Sequence, residues 1–411
     1  MDSGLLISRT RPLETSDEFS AFTQNESNRI IDALFLVAQH DRCAFASELR
    51  HCAFLCRAMW IEEVFWSAMT RVKIGPRQRT RLMAAAAAGN LARVRWLAAR
   101  GAPIDLCDRW GWTAFYYAAS SIKPNADVLK FLLTRGCDVN VRTLGGSNPL
   151  IKAASLGCEE NVQCIIDAGA SLEIRAAVGK TALHVASHRG RIGVVRALLA
   201  AGADLHASAG GSNTGWTPLI FAAQLGHTEC VEMLLAAGAI VDVSVAGSWQ
   251  AIHWASFDGL TSHADLLRLL IQHGACQNAR TDKNETPLAL ACKKGFAADV
   301  RVLIEAGADA CACDIDGESI MHAAASGDAE IMDIIWRAGG DLNAVTHGSW
   351  TPLHRAVHGN KIEIVQWLVS KQVYLHVKTL SGRRAIDIAY EMHHENIVDV
   401  LRAAAGLQFR G

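Results

Sequence analysis

The chain has 411 residues, half of them apolar and a fifth charged, a balance that excludes a mainly disordered protein. Forty Lys and Arg face 41 Asp and Glu, for a net charge of −1, which argues against a strongly basic nucleic-acid binder. Twelve cysteines are too sparse for a disulfide scaffold, and most fall at apolar positions of expected helices, so they read as reduced thiols of a cytoplasmic or nuclear protein. Residues 1–26 are polar and aperiodic and read as a mobile segment. They carry acids and no apolar stretch, unlike a secretory signal. No apolar run approaches the roughly 18–20 residues that cross a bilayer, so no membrane insertion is expected. Residues 27–76 come next as a small helical unit. Its three amphipathic patterns are Ile30, Ile31, Leu34, Val37 and Ala38; then Leu49, Cys52, Ala53 and Cys56; then Phe65, Ala68, Met69 and Val72. Pro76 and the basic stretch Arg71, Lys73, Arg77, Arg79 and Arg81 mark its junction with the remainder of the chain.

From 77 to 411 one phrase recurs. Thr217-Pro218-Leu219-Ile220 returns as Thr286-Pro287-Leu288-Ala289 and Thr351-Pro352-Leu353-His354. Looser copies start at Thr80, Thr113, Asn148, Thr181, Gln250, Ser319 and Arg384, at successive spacings of 33, 35, 33, 36, 33, 36, 33, 32 and 33 residues. Thr217 can cap a helix with its hydroxyl, and Pro218 suits the first turn, where a missing N–H costs nothing. Ala222 and Ala223 let a neighbouring helix approach closely. Gly226 ends that helix by taking a left-handed conformation. Cys230, Val231, Leu234 and Leu235 then form the apolar stripe of a second helix, and Gly238 closes the unit. A helical hairpin of this size cannot bury its own apolar face, so ten units must stack as an all-α solenoid.

The T-P-L-H and L-L-x-x-G-A phrases at this period resemble the ankyrin repeat family over about residues 77–411. The resemblance implies a curved stack of helix pairs whose turns and inner helices form a concave surface that binds other proteins without catalysis. In that family the histidine of the phrase, here His184, His253, His322 and His354, holds adjacent turns together. The copy at Thr113 lacks the helix-ending glycine and has Ser120 to Asn125 instead, so a longer inter-helix turn is expected there. Extra residues in 207–214 and around 260–263 lengthen two further loops. The copy Arg384-Ala385-Ile386-Asp387 is expected to cap the stack, with no C-terminal second domain such as a SOCS box expected after it. The stretch from Glu48 to Met69, with Leu55, Cys56, Arg57, Trp60, Phe65 and Trp66, is similar to the second half of an F-box, without that family's Leu-Pro start. Residues 27–76 therefore have two readings: a helical cap on the first repeat, or an F-box-like unit holding a cullin-ligase adaptor.

Signs of chemistry are few. Cys52, Cys56 and His51 lack a second ligand pair, and Cys311-Ala312-Cys313 stands alone, so no metal is expected. No phosphate-binding loop, nucleophile elbow or kinase signature occurs, so neither an enzyme nor a cofactor is expected. The surface is more informative. The residue before the repeated phrase, which the resemblance places on the projecting turn, is Trp112, Trp216, Trp249 and Trp350 in four copies, with Trp110 close by. Tryptophan is enriched at binding hot spots. His188, Arg189, Phe257, Lys293 and Lys294, near the end of the first helices, join them as candidate partner contacts. The leading expectation is a module that binds a still unidentified protein partner. The alternative is a substrate-recognition subunit of a cullin-type ubiquitin ligase.

Overall fold

The computed structural model describes residues 78–258 and 261–408, the side chains of 407 and 408 excepted. The expected mobile segment, the helical unit and its residues Leu55, Trp60, Phe65 and Trp66 lie outside the described residues.

Twenty helices occur among the described residues, two per repeat. The first helices are α1 (Arg81–Ala87), α3 (Ala114–Ala119), α5 (Pro149–Leu156), α7 (Ala182–His188), α9 (Pro218–Gln224), α11 (Ala251–Phe257), α13 (Pro287–Lys294), α15 (Ile320–Ala324), α17 (Pro352–His358) and α19 (Ala385–Glu391). The second helices are α2 (Leu91–Ala99), α4 (Ala126–Thr134), α6 (Glu159–Asp167), α8 (Ile192–Ala200), α10 (Thr228–Ala236), α12 (Ala264–Gln272), α14 (Ala297–Glu305), α16 (Ala329–Arg337), α18 (Ile362–Ser370) and α20 (Glu395–Gln408). First helices pack on first helices of the neighbouring repeats, and second helices on second helices, which makes two layers.

Local chemistry accounts for several of the first-helix starts. The side chains of Thr113, Asn148, Thr286 and Thr351 accept the backbone N–H three residues on, satisfying donors that the first turn leaves open. Thr217 departs from its expected role: its hydroxyl is buried without a partner. That helix start rests instead on the extended Thr217 backbone and on Pro218 in the first turn. Gly226 has a φ of +71°, and an added Cβ would run into the His263 ring, so turn and packing both demand glycine.

The core is one continuous cluster along the stack. Ala222 and Ala223 in α9 are fully buried, and their size brings the helix layers close. Val231 and Leu234 in α10 are equally buried, each worth roughly 1.5–3 kcal/mol in burial.

Both irregular inter-helix turns are pinned by a polar side chain from the next repeat. After α3, Asn161 of α6 accepts from the Asn125 N–H at 2.8 Å and donates to the Ser121 carbonyl at 3.2 Å. After α11, Asp299 of α14 accepts from Ser262 Oγ at 2.5 Å. Asn161 and Asp299 are both fully buried.

The turns project from the stack and are joined at their tips by backbone hydrogen bonds. Leu144 N–H donates to Trp110 O at 3.0 Å, Ala177 to Gly145 at 3.2 Å and Gly210 to Val178 at 2.9 Å. The ladder resumes with Asp282 to Gly247 at 2.9 Å and Ile315 to Lys283 at 3.1 Å. Among the described residues no such bond joins the fifth turn to the sixth. The fifth carries the extra residues: Ala209 N–H closes on Trp216 O across seven positions, where the sixth closes Val245 on Trp249 across four.

All nine cysteines among the described residues are free. Cys158, Cys164, Cys230 and Cys292 are buried, but Cys107, Cys276, Cys311 and Cys313 are exposed outside the helices, which corrects the expectation that most sit at apolar helical positions.

Candidate interaction surface

The face shared by the turns and the first helices holds the expected contact residues. Its scaffold is the histidine of the repeated phrase. In α7, His184 Nδ1 accepts from Thr181 N–H at 3.2 Å, while Nε2 donates to the carbonyl of Trp216, in the next turn, at 3.1 Å. His322 does the same for Trp350 O at 2.9 Å, and His253 for Ala279 O at 3.1 Å. These bonds require the neutral imidazole with its proton on Nε2. Burial pushes the His184 proton affinity down to about 4, and lowers it for His253, His322 and His354 as well. Two of the histidines thus fix the backbone of a tryptophan-bearing turn.

The indoles sit differently from one another. Trp112 is half-buried, with its ring 4.6 Å from Tyr116 and 5.2 Å from Tyr117, and Lys152 Nζ lies 5.7 Å from its centre. Trp110 is half-buried beside it at 6.5 Å. Trp249 is half-buried, packing on Trp254 at 4.5 Å and Phe257 at 5.3 Å. Trp350 stands apart with His354 at 6.0 Å, His358 at 5.6 Å and Arg355 at 5.6 Å. Trp216 is a correction to the surface expectation. It is 6% exposed, clamped between Phe221 at 5.0 Å and Trp254 at 4.6 Å. The lengthened fifth turn folds its indole inward instead of projecting it.

The flanking residues divide too. His188 is half-buried 5.6 Å from Phe221, and Arg189 next to it is exposed at the end of the same helix. Lys294 Nζ lies 4.0 Å from the centre of half-buried Phe257. Lys293 is held by Glu285 at 2.8 Å, with Asp314 at 3.9 Å, so its charge is largely spent inside the protein. The structure therefore gathers His188, Arg189, Trp249, Phe257 and Lys294 into one region, and leaves Trp110 with Trp112, and Trp350, as separate spots. Sequence reasoning missed Tyr117, Lys152, Phe221 and Trp254. Each sits four residues after the first residue of its phrase, one helical turn into the first helix. An aromatic or cationic residue at that repeated position was the available signal. Among the described residues no group of three or more His, Cys, Asp or Glu could hold a metal ion. No helix there is long and apolar enough to cross a membrane.

Ten helical hairpins stacked by nearest-neighbour contacts, with tip-bonded turns, define a repeat solenoid. The family model described as ankyrin repeats (3 copies) matches residues 61–143, 82–176, 121–209, 150–245, 206–281, 240–314 and 320–409. The chain belongs to the ankyrin-repeat family. The first match begins at residue 61, ahead of the boundary at 77 read from the phrases. Human Rabankyrin-5 is 39% identical over 88 residues, covering 18% of this chain and 7% of that protein. Human cyclin-dependent kinase inhibitor 2A is 30% identical over 120 residues, 29% of this chain and 77% of its own length. Human ankyrin repeat and SOCS box protein 3 is 28% identical over 103 residues, 24% and 19% respectively. The crystal structure of the human ASB11 ankyrin repeat domain is similar at 26% identity and a TM-score of 0.49, covering 56% of this chain and 99% of that one. The chain thus spans under a tenth of Rabankyrin-5 and about three quarters of the kinase inhibitor. Its repeats are a protein–protein interaction module.

Proposed function

We propose that this chain recognises a segment of a partner protein, without catalysis, on the concave face made by its turns and first helices. The observation that carries this reading is the recurrence of a half-buried indole, Trp112, Trp249 and Trp350, just before the repeated phrase. Each is already packed against a ring of its own repeat, so little side-chain entropy is lost on binding. Replacing Trp112, Trp249 and Trp350 together with Ser is expected to abolish partner capture while the melting temperature moves by only a few degrees. A collapse of the melting temperature, or capture that persists, overturns the reading.

A second reading makes the chain a substrate-recognition subunit of a cullin-type ubiquitin ligase. What supports it is the F-box-like pattern at Leu55, Trp60, Phe65 and Trp66. Purification of the full chain is then expected to bring down a cullin-ligase adaptor, and Trp60→Ser with Phe65→Ser to lose it while the repeat partner stays. Recovery of a partner with no ligase component leaves residues 27–76 as a cap.

A further inference from the structure

Repeats 5 and 6 carry one unbroken train of rings across the shared face. Phe221 contacts Trp216 at 5.0 Å, Trp216 contacts Trp254 at 4.6 Å, Trp254 contacts Trp249 at 4.5 Å, and Trp249 contacts Phe257 at 5.3 Å. An ammonium closes each end: Lys180 Nζ lies 4.3 Å from the Phe221 centre and Lys294 Nζ 4.0 Å from the Phe257 centre. Trp249, Trp254 and Phe257 form the half-buried end of the train, whereas Phe221 and Trp216 at the other end are buried.

The charges of this region are not balanced from within. Lys180, Arg189 and Lys294 form no ion pair among the described residues. Towards the C-terminal end the same face is compensated, with Lys293 on Glu285 and Arg355 on Glu318. Asp258, at the end of α11, accepts from Gln224 Nε2 at 2.6 Å. His188 reports the field at the Lys180 end: burial lowers its proton affinity, and Lys180, Arg189 and His227 lower it further. A cationic ligand would meet rings already covered by lysines and be repelled at both ends. An anionic one would be attracted at both.

We propose that this face seats an extended acidic segment of a partner protein, with an apolar side chain on Trp249, Trp254 and Phe257 and carboxylates at Lys180 and Arg189 on one side and Lys294 on the other. This deepens, and rests on, the interaction reading above. Helices pack about 8–10 Å apart, so repeat 4 to repeat 7 spans roughly 24–30 Å, the reach of about eight extended residues.

The test is selection of random twelve-residue peptides on the full chain, followed by fluorescence anisotropy of the enriched sequences. Enriched peptides are expected to combine Asp or Glu with an aromatic or large aliphatic residue, and to bind more weakly as salt rises. Lys180→Glu with Arg189→Glu is expected to cost at least tenfold in affinity, Lys294→Glu separately several-fold, and Lys371→Glu, at the end of α18 with its ammonium 3.7 Å from the Trp336 centre, nothing. Circular dichroism melts confirm that each variant is folded, and Lys294→Glu gives an independent reading should the double variant unfold. Enriched peptides that are neutral or basic, or that ignore both cation variants, overturn this inference and leave the interaction reading standing. Tight binding of a twelve-residue oligothymidylate that the double variant loses also overturns it, in favour of a nucleic acid. Failure to enrich any sequence overturns both readings.

Discussion

His184 joins two repeats through one ring, with its own helix start on Nδ1 and the Trp216 carbonyl on Nε2. A protonated ring has no acceptor for the Thr181 N–H, and its charge would be buried. The proton affinity is therefore depressed in the folded chain, to about 4 from the ordinary 6.5. Between these values the unfolded chain binds the extra proton and the folded one does not, so stability falls as pH falls through that window. The full contribution is present above about pH 6.5. His184 alone would lose roughly 3 kcal/mol by about pH 4, and His253, His322 and His354 act in the same direction. Urea midpoints measured at pH 7.5, 5.5 and 4.5 are expected to drop steadily, and a midpoint unchanged down to pH 4.5 would contradict the neutral-imidazole assignment.

A second residue-scale case lies on the outer side of the turns. Asn140, Asn278 and Asn343 each accept the backbone N–H of the next repeat, from Ser171, Asp309 and Tyr374, all at 2.9 Å. Cys311 occupies the same place four residues after its turn glycine, and its thiol donates to Gly339 O at 3.4 Å instead. Cys311→Asn is expected to restore the acceptor and add about 0.5–1.5 kcal/mol. Chemical denaturation compares the two, and a loss of stability would show that the Cys311–Gly339 contact matters more than the missing acceptor.

At the scale of elements, both helix layers build the apolar seam, and the irregularities lie in the turns between the helices. Leu234→Ala in α10 removes a fully buried side chain from close-packed surroundings and is expected to cost about 2–5 kcal/mol, the range seen for such truncations. Asn161 in α6 plays a different part. Its carboxamide holds the irregular turn after α3, whose own helix-ending glycine is missing. Asn161→Ala leaves the Asn125 N–H and the Ser121 carbonyl without these partners and is expected to cost about 1–3 kcal/mol. Hydrogen exchange reads the difference: protection drops first in residues 120–126 for Asn161→Ala, but across repeats 4 to 6 for Leu234→Ala. That the turn after α3 is long was legible in Ser120 to Asn125. The residue that holds it was not, because Asn161 lies 36 positions from Asn125 and meets it only once the repeats stack.

At the scale of the molecule, each repeat leans on its neighbours, so cooperativity depends on every interface. The step from repeat 5 to repeat 6 lacks a tip bond among the described residues and carries the Trp216–Trp254 contact instead. Trp216→Ala is expected to cost about 3–5 kcal/mol and to split thermal unfolding into two transitions. A single transition shifted as a whole would show that the helix layers alone couple the halves.

The period of 33 residues, the helix pairs, the stacking and the turn-joining role of His184, His253 and His322 were determined by the sequence itself, whereas His354, expected to act alike, has its Nε2 buried without a partner. They arise from local preferences, namely capping side chains, proline in the first turn, glycine at φ above zero and an apolar stripe at helical spacing, and ten copies repeat them. The tertiary structure alone decided which tryptophans face outward. Trp216 and Trp249 hold the same place in their phrases, yet extra residues in one turn bury the first, while the second stays half open on rings from α11. It also decided which cations are spent internally, since Lys293 and Lys294 are neighbours in sequence but only Lys293 reaches Glu285. Burial and charge compensation depend on residues brought together by folding, many of them about one repeat away, and a repeat pattern does not specify which side chains meet there.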